Sequence, residues 1–468
     1  MKKYIYTLLA TLFVPYLLTS CSKDDDNEVE ASENCIITSF TLGQLKRSMY
    51  LKTVAGMDSI YTTSFSGASF PLTINQLEQT IENLDSLPAR TRLDKVLTTV
   101  KFDGALFWRK AKLAEDEDTT WTTYSSKDSL DLSQPLHFLV LSATGLSSRI
   151  YTLKINVHQQ RSDSTQWNAL PQTSALDGVA ERRATICKDK LMVIGKNAAG
   201  ATILAERPAT LAGDWATHPT TGAENAVPST LQNRDGKLFM STTTGIVITS
   251  TDGMTWTPTA DDKMDGLVLV AASPDRLYAM ANGSIYSNSS LGWVEEACDD
   301  DKANLPTGEL NSVYYRISNR QQRLMLIGSR NATDPTATIW SKTWDDGEEG
   351  MEKWIYYTPN QTDKYRCPML KNLNIVRYDN GLQALGGRSR DGRYEAMDSI
   401  FHSSDNGVTW KTYINNDMNV DSELRTQAQM AQYISATVDD DQYLWLIIDS
   451  NVWRGRINRL GFLRSDRD

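Results

Sequence analysis

The chain has 468 residues, of which 40% are hydrophobic and 23% charged, so its composition excludes a disordered chain and a polytopic membrane protein. Its 48 lysines and arginines against 58 aspartates and glutamates give a net charge of −10, which argues against a nucleic-acid partner, because phosphate binding needs a basic face. Four histidines and five cysteines are little material for metal or nucleophilic chemistry, and we expect no metal and no cofactor.

The first twenty residues have the pattern of an export signal. Lys2 and Lys3 precede an apolar stretch over 5–18, which is short for a bilayer span. The stretch ends in Leu-Thr-Ser-Cys at 18–21, which resembles the lipobox of bacterial lipoproteins, in which the cysteine is lipidated and becomes the first mature residue. The alternative is an ordinary secretory signal with a chance cysteine. We predict a signal peptide over 1–20 and lipid attachment at Cys21.

A polar, acidic run follows that cysteine. Ser22 is not the aspartate that would retain a lipoprotein at the inner membrane. The acidic residues over 24–26 resemble the signal with which some diderm bacteria send lipoproteins to the outer face of the outer membrane. We therefore predict an acidic tether over 21–33 and a lipid-anchored protein exposed at the cell surface.

Residues 34–158 are predicted to form a small immunoglobulin-like β-sandwich. The segment 151–157 alternates apolar and polar residues, as a half-buried strand does, and 138–141 precedes it across a Thr-Gly turn. One segment has helical spacing instead and predicts a short helix, through Ile74, Leu77, Ile81 and Leu84. Four cysteines match no zinc pattern and the sequence does not pair them, so we expect buried small hydrophobes at Cys35, Cys187, Cys298 and Cys367.

Residues 162–468 contain an internal repeat in which three strand types recur in the same order. The first type starts basic or polar and turns apolar, as in 190–195 and 323–328, and a short apolar strand follows it. A turn then leads to a strand that carries tryptophan, at Trp215, Trp256, Trp293, Trp354 and Trp410.

The sixth copy lacks this last strand, and a spare one with Trp167 lies at 164–170. The tryptophan strands recur about every 49 residues, close to the length of a four-stranded propeller blade. The repeat predicts a six-bladed β-propeller over 162–468, in which strand 164–170 completes the last blade and joins the two ends of the ring. An irregular pair of β-sandwiches is the alternative.

Two turns carry the Asp-box signature S-x-D-x-G-x-T-W, complete in 403–410 and one residue shorter in 250–256. The aspartate is expected to accept backbone N–H groups, the glycine to adopt positive φ and the tryptophan to pack between blades. These structural residues are Ser250, Asp252, Gly253, Trp256, Ser403, Asp405, Gly407 and Trp410.

On these features the chain resembles a family of bacterial surface lipoproteins that carry an N-terminal immunoglobulin-like domain and a C-terminal Asp-box (BNR-like) β-propeller. The resemblance covers nearly all of the chain, including the turn at 83–88. It implies an all-β fold and a surface location, and it implies no activity.

Catalytic motifs are harder to find. Asp-box propellers include sialidases, but the Arg-Ile-Pro motif of that family is missing, since Arg182 and Arg183 are followed by Ala-Thr-Ile. Acidic runs at 299–301 and 439–441 lack the spacing of a calcium loop and are interpreted as solvated turns. We predict no catalytic residue and favour a protein that is not an enzyme, although carboxylates in a channel could serve a glycan hydrolase or lyase.

A basic, aromatic rim is the candidate binding site. In a propeller, the loops after the second strand lie at the same end as the connections between blades, and basic residues follow that strand in three copies. Arginine binds carboxylates and aromatic faces stack on sugars. The candidates are Lys196, Arg330, Arg388, Arg390, Arg393, Tyr356, Tyr357 and Tyr365.

The leading functional prediction is a surface lipoprotein whose propeller binds a glycan or a protein partner without catalysis. The alternatives are a glycan-active hydrolase or lyase with channel carboxylates, and a structural subunit of an envelope complex.

Overall fold

The computed structural model describes residues 32–52, 58–111, 120–161, 164–259, 264–290, 292–349, 351–359, 365–412 and 419–461. The predicted signal peptide and Cys21 lie outside these residues. The described residues form two compact units, one up to residue 157 and the other from residue 158 onward. None of the helices in the described ranges has the length and apolarity that a membrane span requires.

The described residues of the first unit form three β-sheets. A six-stranded sheet has the order β4-β5-β11-β10-β8-β9, a three-stranded sheet has the order β3-β2-β6, and β1 pairs with β7. The strands are β1 (Ile37–Leu42), β2 (Gln44–Lys52), β3 (Asp58–Ser66), β4 (Leu72–Asn75), β5 (Thr80–Asn83), β6 (Thr91–Arg92), β7 (Thr98–Phe102), β8 (Ala105–Lys110), β9 (Thr122–Thr123), β10 (Leu136–Leu141) and β11 (Ser148–Lys154).

Alternating residues of the central hairpin form the core of this unit. In β10 and β11, Phe138 pairs directly with Tyr151, and both side chains are fully buried. Leu136, Val140 and Leu153 lie on the same face and are also buried, because side chains of a strand alternate between its two faces. The period-two pattern of the sequence therefore identifies the buried face of this hairpin.

The predicted helix near residue 80 is wrong, because the segment forms the β4–β5 hairpin. Ile74 and Ile81 face each other across this hairpin, so two of the four helically spaced residues do share a face. The other two, Leu77 and Leu84, are 94% and 60% exposed. Asn75 closes the turn, since its side-chain oxygen accepts the N–H of Leu77 at 3.0 Å. The apolar residues of this segment have a spacing that fits a helix, but the hydrogen bonds of the turn at Asn75 favour the hairpin.

In the part of the second unit that the structure describes, there are six four-stranded antiparallel sheets, here blades 1 to 6. Blades 1 to 3 are β13 (Ala180–Cys187), β14 (Lys190–Lys196), β15 (Thr202–Pro208), β16 (Ala216–Pro219); β17 (Gln232–Arg234), β18 (Lys237–Ser241), β19 (Val247–Ser250), β20 (Thr257–Pro258); and β21 (Val268–Ala272), β22 (Leu277–Ala281), β23 (Ser284–Ser289), β24 (Gly292–Glu295). Blades 4 to 6 are β25 (Gly308–Arg316), β26 (Gln321–Ser329), β27 (Thr338–Asp345), β28 (Ile355–Tyr356); β29 (Asn374–Tyr378), β30 (Gly381–Leu385), β31 (Phe401–Ser403), β32 (Lys411–Thr412); and β33 (Ile434–Val438), β34 (Leu444–Ile448), β35 (Asn451–Ile457) with β12 (Thr165–Ala169).

Blade 6 is assembled from both ends of the unit. The strand β12 pairs antiparallel with β35, so that Trp167 faces Gly455 and Ala169 faces Trp453. Gly455 leaves room for the indole ring, since a β-carbon there would lie 2.2 Å from Trp167. The early tryptophan strand is therefore the outer strand of the sheet that holds Trp445 and Trp453.

The unit also contains elements that the sequence analysis does not predict. The α-helix α1 (Ser422–Met430) lies between blades 5 and 6, and Asp421 caps it by accepting the N–H of Glu423 at 2.8 Å. In four blades the tryptophan precedes the outer strand instead of lying within it, as Trp410 does before β32. Short 3-10 turns occur in this unit at Ser174–Leu176, Pro228–Thr230, Lys302–Asn304 and Asn458–Gly461, and in the first unit at Gly67–Ser69.

Candidate functional site

The candidate site is one end of the propeller together with its channel. The first strands of neighbouring blades contact each other, so these inner strands surround the axis. Because the strands of each blade alternate in direction, the loops between second and third strands lie at the end where the inner strands begin. We call these loops the rim: 197–201, 242–246, 282–283, 330–337, 386–400 and 449–450.

Two of the predicted arginines are fixed on one rim loop. Arg330 donates through Nε to Asp334 at 2.9 Å and through a terminal nitrogen to the side chain of Asn304 at 3.0 Å. Arg390, from the next blade, donates to the hydroxyl of Ser329 at 2.7 Å and to the carbonyl of Asn331 at 2.6 Å. Guanidinium groups from blades 4 and 5 thus share the loop 329–334.

This loop is itself rigidly built. The side-chain oxygen of Asn331 accepts the N–H groups of Thr333 at 2.9 Å and Asp334 at 2.8 Å. The side chain of Glu309 is exposed nearby, and partial desolvation raises the pKa of its carboxyl, although the charge of Arg390 and two backbone N–H groups oppose that shift. The two arginines are therefore held in place, with one carboxylate on the loop and another beside Arg390.

The other basic candidates are compensated separately. Arg388 pairs with Glu395 at 3.2 Å, and Arg393 pairs with Asp391 at 3.3 Å. Lys196 belongs to blade 1, where its ammonium lies 3.4 Å from the carbonyl oxygen of Glu224. The structure thus brings Arg330 and Arg390 to one loop, pairs Arg388 and Arg393 with carboxylates of their own loop, and leaves Lys196 beside a backbone carbonyl.

The aromatic candidates contact the outer parts of the blades. Tyr356 stacks on Trp340 with ring centroids 5.1 Å apart, and Tyr357 packs against the apolar core between blades 4 and 5. The carbonyl of Tyr365 accepts the N–H of Trp410 at 2.8 Å, beside the outer strand of blade 5. None of the described contacts joins these three rings to Arg330 or Arg390.

The two signature turns hold their tryptophans between blades. In the turn at 403–410, Asp405 accepts the N–H and the hydroxyl of Thr409 at 2.8 and 2.6 Å, and Ser403 accepts the N–H of Gly407 at 2.8 Å. Trp410 is 2% exposed and donates to the carbonyl of Gly407 at 2.9 Å.

The turn at 250–256 repeats this arrangement. Asp252 accepts the N–H groups of Met254 and Thr255 at 2.8 and 2.9 Å, and Trp256 is 3% exposed. The glycines of the two turns have φ of 76° at Gly253 and 86° at Gly407. Both turns therefore stabilise the structure at the outer edge of the ring.

The acidic runs also serve local structure. Asp301 caps a 3-10 turn by accepting the N–H of Ala303 at 2.9 Å. Asp439 accepts the indole N–H of Trp445 at 2.8 Å and pairs with Arg454 at 3.3 Å. In the described ranges, no group of three or more His, Cys, Asp or Glu side chains is placed to hold a metal ion. The four cysteines Cys35, Cys187, Cys298 and Cys367 are free thiols, and Cys298 alone among them is only half-buried.

Inside the channel, polar side chains connect inner strands of neighbouring blades at three junctions. Asn311 of blade 4 donates to the carbonyl of Leu373 at 2.9 Å and accepts the N–H of Ile375 at 3.2 Å. Asn374 of blade 5 does the same in blade 6, with the carbonyl of Ile434 at 3.1 Å and the N–H of Ala436 at 2.9 Å.

The hydroxyl of Ser435 then accepts the N–H of Ala184 in blade 1 at 2.8 Å. We call Asn311, Asn374 and Ser435 the inner-strand latches. Each latch satisfies backbone groups of the next blade, so three junctions of the ring are held by hydrogen bonds as well as by apolar packing.

Blade 1 carries an arginine where the latches would lead one to expect a short polar residue. Arg183 follows the left-handed residue Glu181 by two positions, as Asn311 follows Glu309 and Asn374 follows Asn372. Its guanidinium crosses the axis and donates to the carbonyl of Leu310 in the opposite blade at 3.0 Å. It also donates to the carbonyl of Ser229 at 3.1 Å. The channel therefore contains a cation that joins blades 1 and 4.

Carboxylates are sparse on the inner strands. In the described inner strands they are Glu181 and Glu309, which begin the strands of opposite blades. Both lie at the rim end, and Arg183 reaches from one blade to the other close below them. The channel is thus lined by a guanidinium, amides and hydroxyls more than by acids.

Sequence reasoning did not identify the inner strands as the channel wall, and it therefore missed the latches and the place of Arg183. No local motif marks these residues, because each one bonds to a strand roughly 60 or more residues away. The one available signal was the pair Arg182-Arg183 itself, two adjacent positive charges in a strand whose only other charged residue is Glu181.

Comparisons with known proteins identify both units. The family model described as the DUF6242 beta propeller domain matches residues 161–465, and the model of the DUF6242 N-terminal domain, a domain of unknown function, matches residues 40–155. No curated protein sequence matches the chain.

Solved structures match the chain at low similarity. The fucose-recognising lectin of Aleuria aurantia, a six-bladed β-propeller, is 12% identical over 58% of this chain and 89% of its own, with a TM-score of 0.34. AofleA of Arthrobotrys oligospora is 12% identical over 62% and 85%, with a TM-score of 0.32. The WD40 domain of Toxoplasma gondii coronin is 10% identical over 65% and 88%, with a TM-score of 0.33. Such TM-scores support no inference about ligands.

Proposed function

We propose that the chain, which belongs to the DUF6242 family, is a ligand-binding protein of the outer cell surface, anchored by lipid at Cys21 and binding an acidic glycan at the propeller rim. The immunoglobulin-like character of the first domain is part of this proposal, in which that domain is a spacer. The signature turns are, on the same proposal, Asp-boxes.

The observation that supports the binding site is the fixed pair Arg330 and Arg390. Both side chains are held by hydrogen bonds to the loop 329–334 before any ligand arrives, so little side-chain entropy is lost on binding. Each guanidinium has five N–H donors, and the described bonds occupy only some of them. Paired arginines are suited to carboxylate or sulfate groups, which accept two parallel hydrogen bonds.

The experiment is binding of the full chain to an array of acidic and neutral glycans. We expect acidic glycans to bind, and we expect Arg330→Ala and Arg390→Ala each to weaken binding by about tenfold or more, the effect of losing a charged hydrogen bond. Arg393→Ala is the control, since its side chain is 78% exposed and pairs only with its own loop.

Three outcomes would contradict the proposal. Binding that is unchanged in both rim variants would show that the rim is not the site. Release of new reducing ends from the bound glycan would favour the glycan-active enzyme. Retention of a protein partner with no glycan bound would favour the envelope subunit.

The anchor has its own test. Lipids hold proteins at membranes by burying methylene groups, about 0.8 kcal/mol each. Cys21→Ala should therefore move the protein from the membrane fraction to the soluble fraction, whereas the buried Cys35→Ala should not. Membrane association of the Cys21→Ala protein would exclude the anchor.

A further inference from the structure

The guanidinium of Arg183 has only neutral acceptors. One terminal nitrogen donates to the carbonyls of Ser229 at 3.1 Å and Leu310 at 3.0 Å. The other approaches the side-chain oxygen of Asn311 at a long 3.5 Å. No described hydrogen bond or ion pair gives Arg183 a carboxylate, and burial alone lowers its pKa.

Three buried cations of the propeller have an acidic partner, whereas the buried Arg207 donates to carbonyl groups of its own turn. Arg182 lies 3.5 Å from Asp449, Arg454 lies 3.3 Å from Asp439, and Lys342 forms a buried pair with Glu296. Glu309, the carboxylate nearest in sequence to the acceptor Leu310, is turned towards Arg390 and the N–H groups of Asn372 and Leu373. Partial burial removes some of the water around the Arg183 guanidinium, so an anion that contacts it there would be favoured.

One edge of this guanidinium, formed by Nε and the second terminal nitrogen, is available to bind such an anion. The two carbonyls use both hydrogens of one terminal nitrogen. The Nε–H group takes part in none of the described hydrogen bonds, and the second terminal nitrogen makes only the long one. These two nitrogens form the edge that binds a carboxylate with two parallel hydrogen bonds. Arg183 is half-buried, so solvent in the channel reaches it.

We propose that the channel is an anion site centred on Arg183 that accepts one carboxylate group. The carboxylate lies against the Nε edge, while the carbonyls of Ser229 and Leu310 hold the guanidinium on the axis. The group belongs to a small organic acid or to the uronic acid of a glycan, which present the same chemistry. This site is separate from the rim pair and does not depend on it.

The test is thermal unfolding of the full chain in rising sodium acetate or sodium glucuronate, with sodium chloride keeping the ionic strength constant. A ligand that binds only the folded state raises Tm by an amount that grows with the logarithm of its concentration above Kd, and we expect a rise of about 2 °C or more. Arg183→Met should abolish the rise. Arg183→Lys, which keeps the charge but not the fork, should need about tenfold more ligand.

Controls separate this site from the rim. Arg330→Ala and Arg390→Ala should keep the full acetate effect, so a failure of glycan binding at the rim leaves this proposal standing. A response to glucuronate without one to acetate identifies a sugar acid as the ligand class and supports the site. The proposal is overturned if the wild-type Tm does not respond to either acid, or if Arg183→Met and Arg183→Lys, shown to be folded by circular dichroism, respond as the wild type does.

Discussion

The inner and outer edges of the propeller are held together in different ways. At the outer edge, the signature turn at 403–410 closes its hydrogen bonds within eight residues and presents Trp410 to the core between blades. At the inner edge, Asn311 and Asn374 bond to backbone groups about 60 residues away in the next blade. The outer turns shape each blade locally, whereas the latches define how one blade meets the next.

This difference shows which stabilising contacts leave a recognisable sequence motif and which do not. A local turn needs particular residues at fixed spacing, so it leaves a motif. A latch needs only an amide or hydroxyl at one position of an inner strand. In blade 1 the same position holds Arg183, which bonds to blade 4 across the channel. The inner edge is therefore free to vary in chemistry while the outer edge repeats.

The largest expected effect is at a latch. Asn374→Ala removes the bonds to Ile434 and Ala436 and leaves their buried backbone groups without partners. We expect the free energy of unfolding to fall by about 2–4 kcal/mol, measured by urea titration. Asn225→Ala, at an exposed asparagine, should change it by less than about 0.5 kcal/mol. Equal effects of the two substitutions would show that the Asn374 latch does not stabilise the junction between blades 5 and 6.

The pairing of β12 with β35 joins the two ends of the propeller at the outer edge of blade 6. A substitution in this pairing should lower the free energy of unfolding by an intermediate amount. Gly455→Ala places a methyl group 2.2 Å from the ring of Trp167, so the ring and β12 must shift. We expect a loss of about 1–3 kcal/mol in unfolding free energy. In the double variant with Trp167→Ala, Gly455→Ala should cost much less, because the clash is gone. Additive effects would show that β12 does not pack there.

The smallest effect is expected at a signature turn, and it should depend on pH. Burial alone would raise the pKa of Asp405, but hydrogen bonds from Thr409 and Ser403 outweigh it and hold the pKa below the ordinary value of 3.8. A lowered pKa stabilises the fold above the ordinary value, and this contribution disappears as pH falls through the folded-state pKa.

Asp405→Asn should therefore cost about 1–2 kcal/mol at pH 7, since Thr409 loses a charged acceptor. The difference from the wild type should shrink as the pH of the urea titrations is lowered below about 4. A difference that is constant from pH 7 to pH 3 would mean that the carboxylate is not ionised in the turn.

Much of the architecture could be predicted because it repeats. Tryptophans that precede or lie in outer strands recur with blade spacing, and the odd strand at Trp167 is explained only by a ring. The rim arginines Arg330 and Arg390 were visible as basic residues after second strands, but their common loop was not, since it joins two blades. The three tyrosines are close to the rim arginines in the sequence, but in the structure they contact the outer parts of the blades.

Single segments without repetition were less predictable. The segment 72–84 satisfies both helical and strand spacing, and only the turn at Asn75 and the pairing of Ile74 with Ile81 decide between them. The helix α1 was not predicted either, since its single buried stripe of Leu424 and Ala428 is short. Spacing is a weak signal where it covers fewer than three turns or strands.

By itself, the sequence determined the number of blades, the order of their strands and the residues of the outer turns, because local hydrogen bonding and repetition require specific residues at specific intervals. Only the tertiary structure decided which polar side chains meet across the channel. Those contacts join strands that are far apart in the chain, so the charge of Arg183 and the neutral carbonyls around it become visible as one arrangement only when the ring has closed.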